Sequence, residues 1–364
     1  MNRDGSTCGL SSRSISVYLA AVLSLFYLFL FDNFAGPGPG LRREMADASR
    51  LMARATAAVR DCRAARGIPL DPAADPNGTG LIGLERSTIT TSLGSLEAKR
   101  TTTNSSFAAL VVALFHEAGV RRGDAVAVGA SSSFPALIIA TLAAAEVMGL
   151  EPLVISSLGA SEFGANIPEF NWTDMEDCLR AAGLLAVSPL ARAVGGDEDV
   201  GRDMDPAGRA LLGSRIGGLG APLLEEPDLV RNVEARMRLY FAAASERPVK
   251  AFVNIGGSWA NIGTNAEVLK LRPGLTRDVF VPPPAERGVL QAMAARRIPV
   301  IHLLNIKGLC ERYGLPWDPR PLPEPGDGRL SRDVAAKTLP GAALTAVYIL
   351  GVCVVLILGR RRLI

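Results

Sequence analysis

Two segments, one near each end of the sequence, are mostly hydrophobic. Residues 15–31 and residues 341–358 contain no charged side chain, and each approaches the ~20 apolar residues that a helix needs to cross a bilayer. The pattern therefore predicts two transmembrane helices, with the lipid bilayer as a partner and residues 35–340 between the two spans.

Charged residues beside these segments predict their orientation. Arg3 and Arg13 precede the first segment, and residues 360–362, all arginine, follow the second. Because cations next to a span tend to stay inside the cell, we expect cytoplasmic tails at residues 1–14 and 359–364. The main domain would then be extracytoplasmic, anchored in the plasma (inner) membrane. A cleaved signal peptide in place of the first span would leave it on the same side.

The residues after the first span predict a linker, a helix and an irregular segment, together covering residues 35–104. Small or apolar side chains recur every three or four positions over residues 41–62, and Gly67 stands where a helix C-cap is expected. Clusters of Pro, Asp, Asn and Thr over residues 68–104 predict irregular structure.

In residues 105–325, short apolar runs typical of strands alternate with segments whose apolar residues recur at helical spacing. Residues 326–340 are predicted to form a second linker. Because the runs are apolar on both faces, we expect an α/β domain with a doubly wound, mostly parallel, Rossmann-like sheet. A capping box of Thr173 and Glu176 predicts the start of the helix that ends at Gly183. The other predicted helices are 105–118, 135–148, 229–244 and 287–296, and the predicted strands are 125–130, 153–157, 184–187, 222–224, 251–255 and 299–304.

Composition and charge narrow the class of partner. The formal net charge of +3 comes entirely from the tails and flanks outside residues 35–340. A neutral domain has no overall field to hold nucleic acid, so we expect no nucleic-acid partner. Only Cys62, Cys178 and Cys310 fall in the expected outer domain, without a C-x-x-C pair. At most one disulfide could form among them, and buried free thiols are the favoured interpretation.

Ligands of doubly wound sheets bind beyond the carboxyl ends of the strands. The residues expected there carry hydroxyl, carboxamide and glycine amide groups, which can donate hydrogen bonds to an oxyanion. Because the G-x-G-x-x-G, P-loop and H-E-x-x-H motifs are absent, we expect no cofactor and favour a carboxylate, phosphate diester or sugar over a nucleotide. The alternative is that these are only tight turns. The candidates are Ser131, Ser132, Ser133, Ser157, Ser161, Gly256, Gly257, Ser258 and Asn261.

Catalysis is the less favoured interpretation. The only histidines are His116 and His302, and no G-x-S-x-G elbow is present. A Ser–Lys dyad could use Lys99, Lys250 or Lys307, and Lys99 and Lys307 are also candidate ligand-binding residues. The acidic residues between 197 and 205 lack EF-hand spacing, so we expect a solvated loop and no metal site.

Five stretches of the sequence are long and unusual: residues 81–104 (LIGLERSTITTSLGSLEAKRTTTN), 129–146 (GASSSFPALIIATLAAAE), 155–176 (ISSLGASEFGANIPEFNWTDME), 253–265 (VNIGGSWANIGTN) and 301–309 (IHLLNIKGL). Together they resemble the poly-gamma-glutamate system protein family, PgsW. The resemblance implies a bacterial cell-envelope protein that assists capsule biosynthesis or export beside the membrane proteins that make poly-gamma-glutamate. It implies no catalytic residue. A glycine would be expected among the serines at 131–133, where this chain has three serines in a row.

The resulting hypothesis is an accessory component that binds the anionic polymer at the strand ends. One alternative is an extracytoplasmic hydrolase or transferase that acts on the polymer through Ser131 to Ser133 with Lys99 or Lys307. Another is a sugar-isomerase-like fold that binds glycans or sugar phosphates.

Overall fold

The computed structural model describes residues 12–30, 39–186, 188–218, 220–245, 247–327 and 339–361. The chain divides into two compact units, one formed by residues 1–42 and 331–364 and the other by residues 43–330. The helices are α1 (Ser12–Leu30), α2 (Pro39–Ala65), α3 (Leu96–Thr102), α4 (Ser106–Ala118), α5 (Pro135–Met148), α6 (Trp172–Ala181), α7 (Pro206–Gly218), α8 (Leu229–Ala244), α9 (Trp259–Ile262), α10 (Val289–Ala295), α11 (Ile306–Tyr313) and α12 (Leu339–Arg361).

The strands of the larger unit are β1 (Ala125–Ser131), β2 (Glu151–Ser157), β3 (Asn166–Ile167), β4 (Phe170–Asn171), β5 (Ala191–Ala193), β6 (Val249–Ile255), β7 (Gly274–Thr276) and β8 (Val300–Leu303). Six of them form one sheet with the order β5-β2-β1-β6-β8-β7. The first five strands in that order are parallel, and β7 runs antiparallel to β8 at one edge. This confirms the predicted α/β class and the mostly parallel sheet.

Both faces of the sheet are covered, as the apolar strand sequences predict. In β1 every residue is buried. Ala127 is in register with Leu153 and Phe252, and all three belong to one apolar cluster with residues of α8 and α10. The alternate positions of β1, such as Val126 and Val128, lie on the opposite face, where α4 and α5 pack.

The helices around β1 follow their sequence signals closely. Pro135 occupies the first turn of α5, where its missing N–H costs nothing. Gly119 and Gly149 end α4 and α5 in the left-handed conformation that glycine adopts without strain. These bounds agree with the predicted helices 105–118 and 135–148.

The capping box of α6 differs from the predicted one. Asn171 is the N-cap: its side chain accepts a hydrogen bond from the Thr173 N–H, and Asp174 accepts one from the Asn171 N–H. Glu176 points inward instead, where it pairs with Arg192 at 2.7 Å and accepts a hydrogen bond from Trp172. A buried partner for Glu176 therefore outweighs the local capping signal.

Two predicted strands are wrong. Residues 184–186 form no strand, and residue 187 lies outside the described residues; the strand beside β2 is β5, seven residues later. Leu223 makes only an isolated bridge to Arg192. The sequence also missed β3, β4 and β7, which are two or three residues long and too short to show a period.

The smaller unit pairs α1 with α12. Ser24 Oγ lies 2.8 Å from Tyr348 Oη, and the ring of Tyr27 stacks on that of Tyr348 with 4.2 Å between centroids. The helices therefore lie where the sequence predicts spans. Within the described ranges, however, no helix combines the length and the apolar character that crossing a membrane requires, so the structure gives the predicted spans no support.

Cys62 on α2 and Cys178 on α6 form a disulfide, which corrects the expectation of free thiols. Their Cα atoms are 6.0 Å apart, within the usual range for a disulfide. The sequence alone could not indicate the pairing because 116 residues separate the two cysteines. Cys310 is buried and free, and burial raises the pKa of its thiol to about 11.

We predict that the double substitution Cys62→Ala and Cys178→Ala lowers the free energy of unfolding by about 2–5 kcal/mol, because the disulfide closes a long loop in the unfolded chain. Urea unfolding of the full chain measures the change. Reduced wild-type protein should match the double variant, whereas Cys310→Ser should keep its response to reductant. A urea midpoint that reductant leaves unchanged would contradict the prediction.

Candidate functional site

A pocket of about 470 Å³ opens at the carboxyl ends of the strands. It lies where the strand order reverses between β1 and β6, with β2 on one side and β8 on the other. This is the position at which parallel open sheets bind ligands. The structure brings seven of the sequence-predicted residues to its wall: Lys99, Ser131, Ser133, Ser157, Ser161, Gly257 and Ser258.

Four of the predicted residues do not line the pocket. Lys307 is exposed on α11, and Gly256 is buried in the turn that follows β6. Ser132 is fully buried behind the wall, and Asn261 is fully buried beside Gly129 of β1, where a Cβ on that glycine would meet the Asn261 side chain. The side-chain polar atoms of Ser132 and Asn261 have no hydrogen-bond partner among the described residues.

One wall of the pocket comes from the segment predicted to be irregular. Residues 83–94 run alongside residues 160–163 and pair with them through the backbone. The Thr91 N–H donates to the Ala160 carbonyl at 2.9 Å, and the Glu162 N–H donates to the Ser92 carbonyl at 2.9 Å. Sequence reasoning missed most of this wall. Its candidate residues also include neither the acidic residues of the pocket nor the apolar lining residues Phe134, Trp259 and Leu304.

Helix α3 carries Lys99 into the pocket wall. Ser95 caps the helix by accepting a hydrogen bond from the Ala98 N–H. The next residue, Arg100, pairs through two hydrogen bonds with Asp318, at 2.7 and 2.6 Å. The Asp318 N–H in turn donates to the Thr101 hydroxyl. The Ser95 cap therefore fixes the start of this short helix, and the contacts of Arg100 and Thr101 with Asp318 fix the residues that follow Lys99.

Lys99 is only 3% exposed. Its Nζ donates hydrogen bonds to Ser161 Oγ, at 2.7 Å, and to the Ser133 carbonyl, and it lies 3.8 Å from the centre of the Phe134 ring. Burial disfavours the ammonium form and lowers the pKa of Lys99 to about 7. The amine therefore loses its proton well below the pH at which an exposed lysine does.

The carboxylates next in the chain to Lys99 and to Ser161 have other partners. Glu162 pairs with Arg86 and accepts a hydrogen bond from the Gly94 N–H. Glu97 accepts one from the Ser95 hydroxyl. Among the described carboxylates, none forms an ion pair with Lys99. The amine therefore faces hydroxyl, carbonyl and aromatic groups.

Ser133 holds both members of the Lys99–Ser161 pair. Its carbonyl accepts from Lys99 Nζ, and its hydroxyl accepts from the Ser161 N–H at 3.0 Å. The loop after Ser161 is closely packed: a Cβ on Gly164 would lie 2.9 Å from the Ser133 Cα. Phe163 takes a positive φ of 60°, a strained conformation for a bulky side chain.

Two carboxylates line the pocket near β5. Asp197 and Asp203 line it, and Asp203 accepts a hydrogen bond from the Asp197 N–H. Asp199 is instead buried, where it pairs with Arg236 and accepts a hydrogen bond from Ser157 Oγ. In the described part of the chain, no group of three or more His, Cys, Asp or Glu residues is arranged to hold a metal ion.

Neither histidine lies in the pocket wall. His116 contacts Glu44 at 2.7 Å on the surface between α4 and α2. His302 is buried in β8 beside Asn254, and burial lowers its pKa to about 4. The only basic group among the described residues that line the pocket is the Lys99 amine.

The chain matches no family model, no curated protein and no solved structure. The resemblance to the poly-gamma-glutamate family therefore rests on the sequence stretches themselves. What the pocket can do is inferred from its own chemistry, which combines serine hydroxyls, an exposed glycine backbone and one buried amine.

The pKa of Lys99 predicts how stability depends on pH. Unfolded Lys99 keeps its proton up to its ordinary pKa of 10.5, whereas folded Lys99 loses it near 7. Between these values only the unfolded chain binds the proton, so the free energy of unfolding gains about 1.4 kcal/mol per pH unit from this residue. Below pH 7 the penalty of burying the charge is constant.

Urea unfolding of wild type and Lys99→Met at pH 7, 8 and 9 tests this. The difference in unfolding free energy should shift in favour of wild type by about 1 kcal/mol between pH 7 and 8 and by about 1.4 kcal/mol between pH 8 and 9, while contributions of other groups cancel. A difference that does not change with pH would show that Lys99 keeps an ordinary pKa. Lys250→Met, on an exposed position of β6, is the matched control.

Proposed function

We propose that this chain is a membrane-anchored accessory component of poly-gamma-glutamate biosynthesis or export, and that it binds the anionic polymer in the pocket at the strand ends. One observation carries the proposal: the five stretches that resemble the family come together around that pocket. They supply all of its lining residues except Gly196, Asp197 and Asp203.

The lining suits a chain that alternates amide bonds with carboxylates. Ser258 Oγ is buried without a partner among the described residues, and Gly257 is exposed in the wall with room beside its Cα. Hydroxyl and backbone N–H groups are effective hydrogen-bond donors to a carboxylate. Because Asp197 and Asp203 would repel an anion, we place the polymer's carboxylates on the Gly257 side of the pocket.

Two further observations support the cellular location. Large apolar side chains of α1 and α12 are exposed, for example Leu25 and Val347, each 67% exposed; such surfaces suit contact with lipid or with partner membrane proteins. The disulfide between Cys62 and Cys178 favours an oxidising compartment. We therefore propose that the main domain is extracytoplasmic, beside the membrane proteins that make the polymer.

The structure does not pair the serine and lysine residues that the sequence predicts for a hydrolase. Lys307 lies outside the pocket wall, and the hydroxyl that Lys99 contacts belongs to Ser161 rather than to the serines at 131–133. A catalytic version of the proposal therefore depends on Ser161.

We predict that Gly257→Asp weakens binding of a fluorescent poly-gamma-glutamate oligomer at least about tenfold, since like charges brought together in an interface cost several kcal/mol. A Cβ at this position would lie 3.6 Å from its nearest neighbour, Leu304, so the change should not disturb the fold. Gly257→Asn is the control of equal size. Ser131→Ala should cost about 0.5–1.5 kcal/mol, the net value of one hydrogen bond.

Fluorescence anisotropy of the full chain at two salt concentrations gives these affinities. Added salt should change the affinity, because the ligand is a polyanion and the pocket wall carries Lys99, Asp197 and Asp203. A wild-type chain without salt-sensitive affinity for the oligomer would refute the proposed function, as would equal losses for the Asp and Asn variants.

The proposed location predicts the activity of reporter fusions. A reporter that is active only in the cytoplasm should work when fused after Ile364, and one that is active only outside should work when inserted at the turn near Asn77. Cytoplasmic activity at Asn77 would place the main domain inside the cell and contradict the proposal.

A further inference from the structure

The buried amine of Lys99 and the hydroxyl of Ser161 form a pair that polymer binding alone does not require. We propose that Ser161 is a catalytic nucleophile activated by Lys99, and that the pocket cleaves an amide bond of a carboxylate-bearing chain by transferring its acyl group to water. The identity of that chain as poly-gamma-glutamate rests on the proposed function, but the nucleophile and the base do not.

The geometry of the pair fits proton transfer. Lys99 Nζ and Ser161 Oγ are 2.7 Å apart, within the range expected between a nucleophile and its base. Both residues line the pocket, so a bound carbonyl group can reach the hydroxyl. Ser133 acts as a positioning residue, since it binds the Ser161 N–H through its hydroxyl and the Lys99 amine through its carbonyl.

Hydrogen bonds hold the backbone beside the Lys99–Ser161 pair in a strained conformation. Phe163, two residues after Ser161, stays at φ 60° because its N–H donates to the Leu84 carbonyl and its carbonyl accepts from the Gly83 N–H. Strained residues of this kind persist where surrounding contacts over-determine them, and they cluster at functional sites. On the other side, the Arg100–Asp318 pair fixes α3.

The environment of Lys99 favours the neutral amine that a base requires. On its own helix, Glu97 is bonded to Ser95 and Arg100 is paired with Asp318. In the loop that holds Ser161, Glu162 is paired with Arg86. The remaining ionisable groups in the lining are Asp197 and Asp203, near β5. Without a carboxylate partner, burial lowers the pKa of Lys99 to about 7.

A purely structural role explains this arrangement poorly. A buried amine without an anionic partner destabilises the fold, and an apolar side chain of similar length would avoid that cost. The apolar alternative is available here, because the Phe134 ring already packs against Lys99.

The reaction follows from the two groups and one water molecule. Neutral Lys99 takes the proton of Ser161 as Oγ attacks the amide carbon. The C–N bond then breaks, the leaving amine takes the proton from the Lys99 ammonium, and an ester joins the acyl group to Ser161. Water attacks the ester, giving one proton to Lys99, which returns it to Ser161 Oγ as the C–O bond breaks. The net change is amide plus water to carboxylic acid plus amine.

Covalent labelling tests the nucleophile without knowledge of the substrate. The full chain is treated with a fluorophosphonate and, separately, with a β-lactone, and adducts are located by peptide mass spectrometry. We expect the adduct on Ser161, none in Ser161→Ala, and labelling at least about 100-fold slower in Lys99→Met, the scale of a lost general base. The labelling rate should rise with pH, about tenfold per unit below 7, and level off above it, because the neutral amine is the active form.

Matched controls separate chemistry from folding. Ser214→Ala, on the exposed face of α7, and Lys250→Met should label like wild type. The urea midpoint and the intact disulfide report whether each variant folds. Wild-type protein that carries no adduct on Ser161 with either reagent between pH 6 and 9 would overturn the proposal, and this result needs no variant. A labelling rate that is flat with pH would overturn the role of Lys99.

Incubation with poly-gamma-glutamate distinguishes this inference from the proposed function. Shortening of the polymer by wild type but not by Ser161→Ala supports both. Polymer that binds while Ser161 takes up neither reagent refutes the catalytic proposal and leaves the proposed binding function standing. Labelling of Ser161 without any affinity for the polymer supports the nucleophile and refutes the proposed function.

Discussion

The reversal of strand order beside β1 is the constraint from which the rest of the larger unit follows. Successive strands are added on one side of β1 as far as β5 and on the other side through β6 and β8. Because the core strands are parallel, their connections all leave from the same edge, and at the reversal they diverge and leave a crevice. Apolar helices fill both faces of the sheet but cannot fill its end. The polar loops and the segment of residues 83–94 therefore form the walls of the pocket.

Several elements of the larger unit together determine the environment of the Lys99 side chain. Desolvating an amine is unfavourable, and here its hydrogen bonds go to neutral oxygens. The neighbouring Arg100, in contrast, has an ionic partner in Asp318, so two consecutive cations on one short helix have opposite environments. Burial in the pocket wall favours the neutral amine of Lys99. Arg100 keeps its charge and holds the helix in place through Asp318.

Sequence patterns predicted the parts of the fold whose signals are long or chemically unambiguous. The strand β1 has a continuous apolar run, and the helices α4 and α5 have apolar runs that end at a glycine. Once these elements are assigned as strands and helices, the loops that follow the parallel strands are assigned too. Helix α3 was missed because seven residues show no clear period and lie among turn-forming residues. The contact between Lys99 and Ser161 spans 62 positions, which no local pattern can indicate, although a lysine in a chain that otherwise uses arginine was a fair signal.

The disulfide between Cys62 and Cys178 has a consequence for proteolysis of the chain. It encloses the stretch that contains Lys99, Ser133 and Ser161, whereas Gly257 lies beyond it. A single backbone cut anywhere between the two cysteines leaves both fragments covalently joined, so the amine and the hydroxyl cannot diffuse apart. A cut in the second half of the domain separates fragments that only packing holds together. Nicked molecules would thus keep one half of the pocket as long as the surroundings remain oxidising.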